Sequence, residues 1–281
     1  MAPDSTPLAG TARSGEPDRY LAALLAHPEK REGLLALAEF SVELAAIPQR
    51  VVHEPAMGEI RLQWWHDALT LPPELRAGHP VADAVRKAAQ VYGLSTPLLE
   101  ALVDARLLLF HNAAPLSDET LGAFLWKSEG VLFMLGAEVV GLPSTVDVEA
   151  LCAAAGEAYG QVRILLALPR MLAHGRAPLA KSQLDAAGLT LDDLLGGPGE
   201  SRIEGLAGSI SAQIRRNLEV ARQHLAGLTR VHRTVFLPLA LVEPYLRALE
   251  RAGPALLRQD IQIAPLTRVW AIGAAHLLGR L

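Results

Sequence analysis

Residues 153–180, AAAGEAYGQVRILLALPRMLAHGRAPLA, decide the fold of this chain. The stretch is rich in Ala and Leu, which have the most favourable helix propensities and lose little side-chain freedom in a helix. Together with the residues before it, the stretch predicts one long buried helix from about 146 to 174. The sequence His174-Gly175-Arg176 predicts the turn that ends this helix, since glycine is the usual residue just past a helix end.

The same composition extends over the whole chain. Of its 281 residues 51% are hydrophobic but only 5% are aromatic, and runs in which Val, Ile or Thr alternate with polar residues are hard to find. That pattern favours helices over a sheet. Because the chain is long enough to bury a large core and has no long linker, we predict a single all-α domain of about a dozen helices.

The amino terminus differs from the rest in composition. Residues 1–17, MAPDSTPLAGTARSGEP, are small and polar, and they lack the apolar region of a signal peptide. We therefore predict a disordered tail over 1–17 and a helical domain over 18–281. Asp18 is the expected N-cap of the first helix, because its carboxylate can accept the unpaired N–H groups of a first turn.

Charge and cysteine content exclude several classes of protein. The net charge is −4 and the pI is about 6.1, so there is no overall basic field for binding nucleic acid. The single cysteine, Cys152, excludes an internal disulfide, and its Ala-rich surroundings indicate a small buried hydrophobic residue. Charged residues or His interrupt the longest apolar runs before they reach the roughly 20 residues of a membrane span. We expect a cytoplasmic protein, either free or peripheral at the inner face of the membrane.

Prolines divide the first part of the chain into helices. Pro48 is expected to end a helix that begins at Glu29, and Pro55 to begin the next one. In that second helix Met57, Ile60, Trp64 and Ala68 recur every three to four residues, which predicts that they face the core. Of the pair Trp64-Trp65, one ring is expected in the core and the other half exposed.

Paired carboxylates are the first candidates for a functional site. Glu39 and Glu43 are four residues apart, so one face of a helix carries both, as in metal sites of helical proteins. The alternative is a solvated face or a contact with a neighbouring helix. Motifs of the types DxxDD, HExxH, GxSxG, CxxC and the P-loop do not occur, which excludes the common motif-based enzyme classes.

A basic group lies on the long helix and in the turn after it. Arg163 and Arg170 are seven residues apart and therefore on one face, and His174 and Arg176 follow. Arginines on an apolar helix need an anionic partner where they are buried. One interpretation is an internal ion pair with Glu39, Glu43 or Glu157. The other is a phosphate or lipid head group, which suits the geometry of Arg.

Several segments together resemble the squalene/phytoene synthase family, an all-helical isoprenoid-synthase fold. They occur in the order of the family and cover most of residues 19–250: RYLAALLAHPEKREGLLALAEFSVELAAI (19–47), EPAMGEIRLQWWHDAL (54–69), GQVRILLALPRMLAHGRAPLA (160–180), LDAAGLTLDDLL (184–195) and FLPLALVEPYLRAL (236–249). The resemblance implies a single-domain isoprenoid-synthase-like helical bundle.

The same resemblance implies positions for a metal site. Active members hold the diphosphates of two prenyl substrates through Mg²⁺, which two DxxxD motifs on facing helices bind. The aspartates of these motifs would fall at Ala45, Gln49, Ala167 and Met171 of this chain, and none of the four is acidic. Mg²⁺ requires oxygen ligands. The expectation is therefore no metal site and no catalytic residue of the family's kind.

Two functional hypotheses follow. The GEIRLQWW segment resembles a subgroup that includes a mitochondrial assembly factor for respiratory complex I, which implies a frame reused for lipid or isoprenoid binding or for assembly with a respiratory-complex subunit. The alternative is a divergent prenyl-diphosphate transferase, dependent on Mg²⁺, in which Arg50, Arg163, Arg170 and Arg176 contact phosphate. In either case residues 261–281 are expected to form the last core helix or to lie at a bilayer surface.

Overall fold

The computed structural model describes residues 7–50, 54–111, 115–196 and 199–279, which form a helical bundle. A single isolated bridge, between Leu116 and Ala180, is the only β-pairing among them. The α-helices are α1 (Pro7–Gly15), α2 (Pro17–Leu25), α3 (Pro28–Arg50), α4 (Pro55–Thr70), α5 (Pro80–Tyr92), α6 (Thr96–His111), α7 (Asp118–Leu125), α8 (Val131–Val140), α9 (Val146–Leu172), α10 (Lys181–Ala186), α11 (Leu191–Gly196), α12 (Glu200–Leu225), α13 (Arg230–Arg233), α14 (Val242–Ala252) and α15 (Pro265–Leu278). A π-helical turn (Trp126–Gly130) joins α7 to α8, and 3₁₀ segments span Thr234–Leu241 and Gly253–Leu257.

The long helix expected over 146–174 is present as α9. It packs against α7, α8, α12, α14 and the π-helical turn, and it contributes fifteen buried residues. Thr145 caps its first turn through a hydrogen bond from the Val148 N–H to the threonine Oγ1 (3.4 Å). Cys152 is fully buried here, as expected, and burial raises the pKa of its thiol to about 12.

By length and composition alone, α9 is also apolar enough to cross a membrane. Of its most apolar window, 67% is buried against the rest of the protein. Side chains that already pack against neighbouring helices cannot also face lipid. We therefore describe α9 as a core helix, with its apolar residues accounted for by internal packing.

Two glycines, Gly156 and Gly130, let α9 approach the π-helical turn closely. A Cβ atom on Gly156 would lie 2.5 Å from the Gly130 N and 2.6 Å from the Gly130 Cα, so these backbones touch with no room for a methyl group. The π-helical turn interrupts the helical run from Asp118 to Val140, and it buries Ser128, Glu129 and Gly130 against α9. Inserted π turns occur frequently at functional sites.

The N-terminal segment departs from the expectation. Residues 7–15 form α1 and pack against α2 and α3, and the Ala12 N–H donates to Glu39 Oε1 (2.6 Å). Glu16, 2% exposed, occupies the N-cap position of α2. The disordered tail is therefore wrong for residues 7–17, and the domain begins before residue 18; residues 1–6 lie outside the described residues. Small residues such as Ala12 allow this close packing, and a composition rule cannot detect that.

Two details of the first helices also differ. Helix α3 continues through Pro48 to Arg50, so this proline does not end it. On α4, Met57, Ile60 and Trp64 are exposed, whereas Ala68 is buried as expected. Trp65 is buried and Trp64 is 39% exposed, which confirms the division expected for this pair. Because α4 is apolar on both faces, periodicity could not select the face that packs against α6.

Substitution of Gly156 tests how much the close contact between α9 and the π-helical turn contributes to stability. We expect Gly156→Ala to destabilise the protein by about 2 kcal/mol, since the new methyl group would meet backbone atoms that cannot rotate away. Gly208→Ala on α12 is the matched control, because nothing lies within 4 Å of its added Cβ. It should stabilise by up to about 1 kcal/mol through helix propensity. Urea unfolding measures both, and equal stability of the two variants would contradict the contact.

Candidate functional site

A cavity of about 720 Å³ lies between α9 and the helices around it. Its volume is within the range of small-molecule sites, roughly 300–1,000 Å³. Apolar side chains form much of the wall: Ala45, Leu116, Phe124, Leu125, Ile164, Leu166, Ala167, Met171 and Ile261. Polar and charged residues form much of the remainder, and among the charged ones arginines are in excess over carboxylates. Such a lining can hold an apolar chain with an anionic end.

Helix α9 supplies one side of this cavity. Tyr159, Arg163, Ala167 and Arg170 follow one another at three- or four-residue spacing, which places them along one face. Gly175 then adopts a left-handed conformation (φ 67°), and the Arg176 N–H donates to the Met171 carbonyl (2.9 Å). This is the predicted turn, and it brings Arg176 back to the cavity.

A buried ion cluster surrounds Arg163. Its Nη1 donates to both carboxylate oxygens of Glu16 (2.5 Å), and its Nε lies 3.4 Å from Glu129 Oε1. On the other side of Glu129, the Arg19 Nη2 donates to Oε2 (2.6 Å). Glu16 is 2% exposed, so water contributes little to its solvation. The cluster therefore ties α9 to the start of α2 and to the π-helical turn.

The charges in this cluster determine each other's ionisation. Burial alone would raise the pKa of Glu129, but Arg163 and Arg19 outweigh it, so the pKa lies below its ordinary value. Burial likewise acts to lower the pKa of Arg163, and Glu16 and Glu129 raise it well above its ordinary value. Both groups are therefore charged at neutral pH, which makes the cluster a set of mutually stabilised ions.

A second polar cluster is centred on Asp18, which sequence analysis assigned as an N-cap. The Asp18 carboxylate instead accepts hydrogen bonds from Tyr159 Oη (2.7 Å), Tyr245 Oη (2.8 Å) and Arg268 Nε (2.6 Å). Burial and the adjacent Asp18 charge raise the pKa of both tyrosines, so both remain protonated donors. The cluster connects α2, α9, α14 and α15 at one wall of the cavity.

The structure brings three of the four predicted ligand-binding arginines to this cavity. Arg163, Arg170 and Arg176 line it, and Arg170 Nε lies 3.7 Å from Asp260 Oδ1 at the exposed rim. Arg50 is not in the lining; its side chain is 60% exposed, with Nη1 3.9 Å from Glu43 Oε2. Their role in binding a ligand stays a prediction.

The internal partners expected for Arg163 and Arg170 were wrong, and Glu43 lies near Arg50 instead. Glu157 accepts instead from Asn217 Nδ2 (2.7 Å), and Glu39 is buried against α1. Sequence reasoning missed the actual partners, which lie far away in the chain: Glu16, Glu129 and Asp260. A single acid in the apolar stretch 128–137 was a detectable signal for Glu129. Glu16 lies in the segment predicted to be a disordered tail, and no sequence signal indicated that it would be an ion-pair partner.

The positions that the family resemblance assigned to metal-binding acids meet in one place. Ala45 on α3 and both Ala167 and Met171 on α9 line the same cavity. The side chain of Gln49, the fourth position, lies outside the described residues. The described positions are therefore close enough in space to belong to one site, whatever that site binds.

Removing Arg163 tests the buried ion cluster. We expect Arg163→Gln to destabilise the protein by about 3 kcal/mol, because buried Glu16 would keep only the more distant Arg19, whose Nε lies 3.9 Å from Oε2. Arg170→Gln, seven residues along the same helix, should cost less than about 1 kcal/mol, since its ion pair is exposed. Chemical denaturation at pH 7 measures the difference; a comparable loss in the two variants would contradict the cluster's role.

The same pair of variants predicts a pH dependence. The pKa of Glu129 is lowered in the folded state, so its stabilising contribution is present above the pKa of an unfolded glutamate and is lost as the pH falls through the lowered value. Arg163→Gln removes part of that lowering. We expect a shallower loss of stability on acidification for Arg163→Gln than for the wild type or Arg170→Gln. Denaturation midpoints from pH 7 to pH 3 measure it, and parallel curves would refute it.

Comparison with known proteins adds to this geometry. A squalene/phytoene synthase family model matches residues 12–269. The complex I assembly factor 6 of NADH dehydrogenase (ubiquinone) is 26% identical in Mus musculus over 257 residues and 25% identical in Homo sapiens over 264 residues. Each match covers 89% of this chain and 75% of the relative.

Solved structures show the same architecture. A dehydrosqualene synthase in complex with a ligand superposes with a TM-score of 0.77 at 14% identity, covering 96% of this chain and 94% of the other. A squalene synthase from Alicyclobacillus acidocaldarius gives a TM-score of 0.70 at 16% identity, covering 88% and 92%. At such identities the likeness concerns the fold alone, and it confirms the predicted all-α isoprenoid-synthase architecture.

Proposed function

Because the chain belongs to the squalene/phytoene synthase family, we propose that it is a non-catalytic member that binds an isoprenoid or another single-chain lipid in its cavity. The observation that carries this proposal is how the acids of the cavity are used. In the described lining, every carboxylate has an arginine partner: Glu16 with Arg163, Glu129 with Arg163 and Arg19, Asp18 with Arg268, and Asp260 with Arg170.

The described residues do not fit the magnesium ions that the family implies. Mg²⁺ is held through oxygen ligands, usually carboxylates and substrate phosphates. Ala45, Ala167 and Met171 offer no oxygen from their side chains, and arginines already engage the acids that are present. Removing a single preorganised electrostatic group typically costs about 10²–10³ in rate. We therefore derive no catalytic step for this site.

The remaining lining supports binding of an amphiphile. Side chains such as Phe124, Ile164 and Met171 can cover an apolar chain, and burying each methylene group contributes about 0.8 kcal/mol. Arg170 and Arg176 are available for an anionic head group, to which the planar guanidinium is suited. Arg163 is less available, since two glutamates already bind it.

A second candidate function is a divergent transferase acting on prenyl diphosphates. The excess of arginines around the cavity favours it, because guanidinium groups can stabilise phosphate charge directly. The names of the relatives favour a third role, assembly with a subunit of a respiratory complex. Lipid binding and assembly are compatible, since a lipid-filled bundle can also present its surface to a partner.

Turnover and binding assays separate these functions. We expect the wild-type protein to bind farnesol, the uncharged alcohol, with a heat detectable by calorimetry. With farnesyl or geranylgeranyl diphosphate and Mg²⁺, it should release no diphosphate above the uncatalysed background. An active squalene synthase is the positive control. Turnover near 1 s⁻¹, within the ordinary range for enzymes, would overturn the non-catalytic proposal and favour the transferase.

We also propose that α15 contacts a bilayer beside the cavity. Ile272 and Ala275 pack into the core, whereas Leu266, Trp270 and Leu277 are each at least 74% exposed and follow one face at spacings of four and seven residues. Arg268, at the start of α15, lines the cavity. An apolar helix face at the edge of a lipid-sized cavity fits a membrane surface from which a lipid could enter.

Liposome flotation tests this contact. We expect Trp270→Ser with Leu277→Ser to reduce the fraction of protein that floats with the vesicles several-fold, since it removes apolar area that would enter the interface. Val146→Ser is the matched control, because Val146 is also an exposed apolar residue (82%) but lies on a different helix, as the first residue of α9. Substitution is preferable to truncation, which would also remove Arg268 from Asp18. Equal flotation of all forms would exclude the membrane role.

A further inference from the structure

The charges around Arg163 do not balance. Three arginines, Arg19, Arg106 and Arg163, interact with two glutamates, Glu16 and Glu129, which leaves one positive charge in excess. The neighbouring pair of Asp18 and Arg268 is neutral by itself. Since an ion that is partly withdrawn from water and has no counter-ion is costly, the cluster favours the binding of one negative charge.

Arg106 on α6 carries this excess. Glu16 and Glu129 are ion-paired to Arg163 or Arg19, whereas Arg106 has no hydrogen-bond or ion-pair partner in the described part of the chain. Its Nε atom is buried without an acceptor. Burial lowers the pKa of Arg106, and the charge of Glu129 opposes that effect only in part. Arginine stays protonated in proteins, so the charge persists.

The position of Arg106 relates this charge to the cavity. Its side chain lines the cavity together with the apolar residues Phe124, Leu125 and Ile164, so a group bound in the cavity can contact it. We propose that Arg106 binds the head group of a single-chain amphiphile that ends in one singly charged oxyanion, a carboxylate or a phosphodiester. This inference rests on the proposed lipid-binding function and assigns the head-group chemistry of that site.

The number of charges favours such a head group over a diphosphate. One oxyanion neutralises the one excess cation and supplies the acceptor that the guanidinium lacks. At Arg106 a diphosphate would bring several negative charges beside Glu16 and Glu129, and among the described residues no group of acids or histidines is placed to hold a metal ion that would offset them. An uncharged alcohol would leave Arg106 without a counter-charge. The site should therefore prefer a monoanion over both alternatives.

Calorimetric titration of the full-length protein with probes that share one chain tests this preference. The probes are farnesol, farnesoate, methyl farnesyl phosphate, which is a singly charged phosphodiester, and farnesyl diphosphate, all without Mg²⁺. We expect farnesoate or the phosphodiester to bind about tenfold to a hundredfold more tightly than farnesol, as for a hydrogen bond to a charged group. The tighter of the two identifies carboxylate or phosphate as the natural head group.

Variants assign the preference to Arg106. We expect Arg106→Gln to lose the tenfold or greater preference for the anion while farnesol affinity changes less than about threefold. Arg247→Gln, at an exposed arginine of α14 outside the cavity lining, should keep the preference. Arg106→Gln should also be at least as stable as the wild type without ligand, since it removes a charge that has no ion-pair partner. A less stable Arg106→Gln would instead indicate a structural role and overturn the proposal.

The outcomes distinguish this inference from the proposed function. Equal binding of farnesol and the monoanions by both proteins would overturn the role of Arg106 and leave lipid binding supported. Tightest binding of farnesyl diphosphate would refute the single-charge head group. Failure of every probe, farnesol included, would overturn the proposed lipid-binding function and this inference with it.

Discussion

The ion pair between Arg163 and Glu16, with Glu129 beside it, is the contact on which the rest of this structure depends. It joins the central helix α9 to the junction of α1 and α2 and to the π-helical turn. Because these charges are enclosed by protein, none can lose its partner without leaving a buried ion. The cluster therefore holds the N-terminal helices against the cavity and sets the polarity of one of its walls.

The close backbone contact at Gly156 and Gly130 allows this arrangement. It brings the π-helical turn against α9, so that Glu129 can reach Arg163. A bulkier residue at either glycine would separate the two elements. Packing and electrostatics thus act together, since the glycines set the distance between α9 and the π-helical turn and this distance allows the ion pair of Arg163 with Glu129.

The cavity combines the features of a binding site with acids that are already engaged. Its apolar wall suits a hydrocarbon chain, and its carboxylates are bound by arginines or, for Asp18, also by two tyrosines. The exposed face of α15 extends this apolar character to the surface beside the cavity. These contacts support the proposal that the cavity binds an amphiphile.

Local patterns in the sequence were sufficient to predict the helical class, most helix positions, the central helix and its terminal turn, because propensity, proline and glycine act within a few residues. They also identified three arginines of the cavity, two from their spacing along α9 and Arg176 from the turn after it. The cavity's anionic partners, the helix at residues 7–15 and the buried face of α4 depend on contacts between residues distant in the chain. Asp18 shows the limit: its position suggests an N-cap, whereas tertiary packing surrounds it with Tyr159, Tyr245 and Arg268. Only the folded structure decides such partners, since no local rule relates residues more than a hundred positions apart.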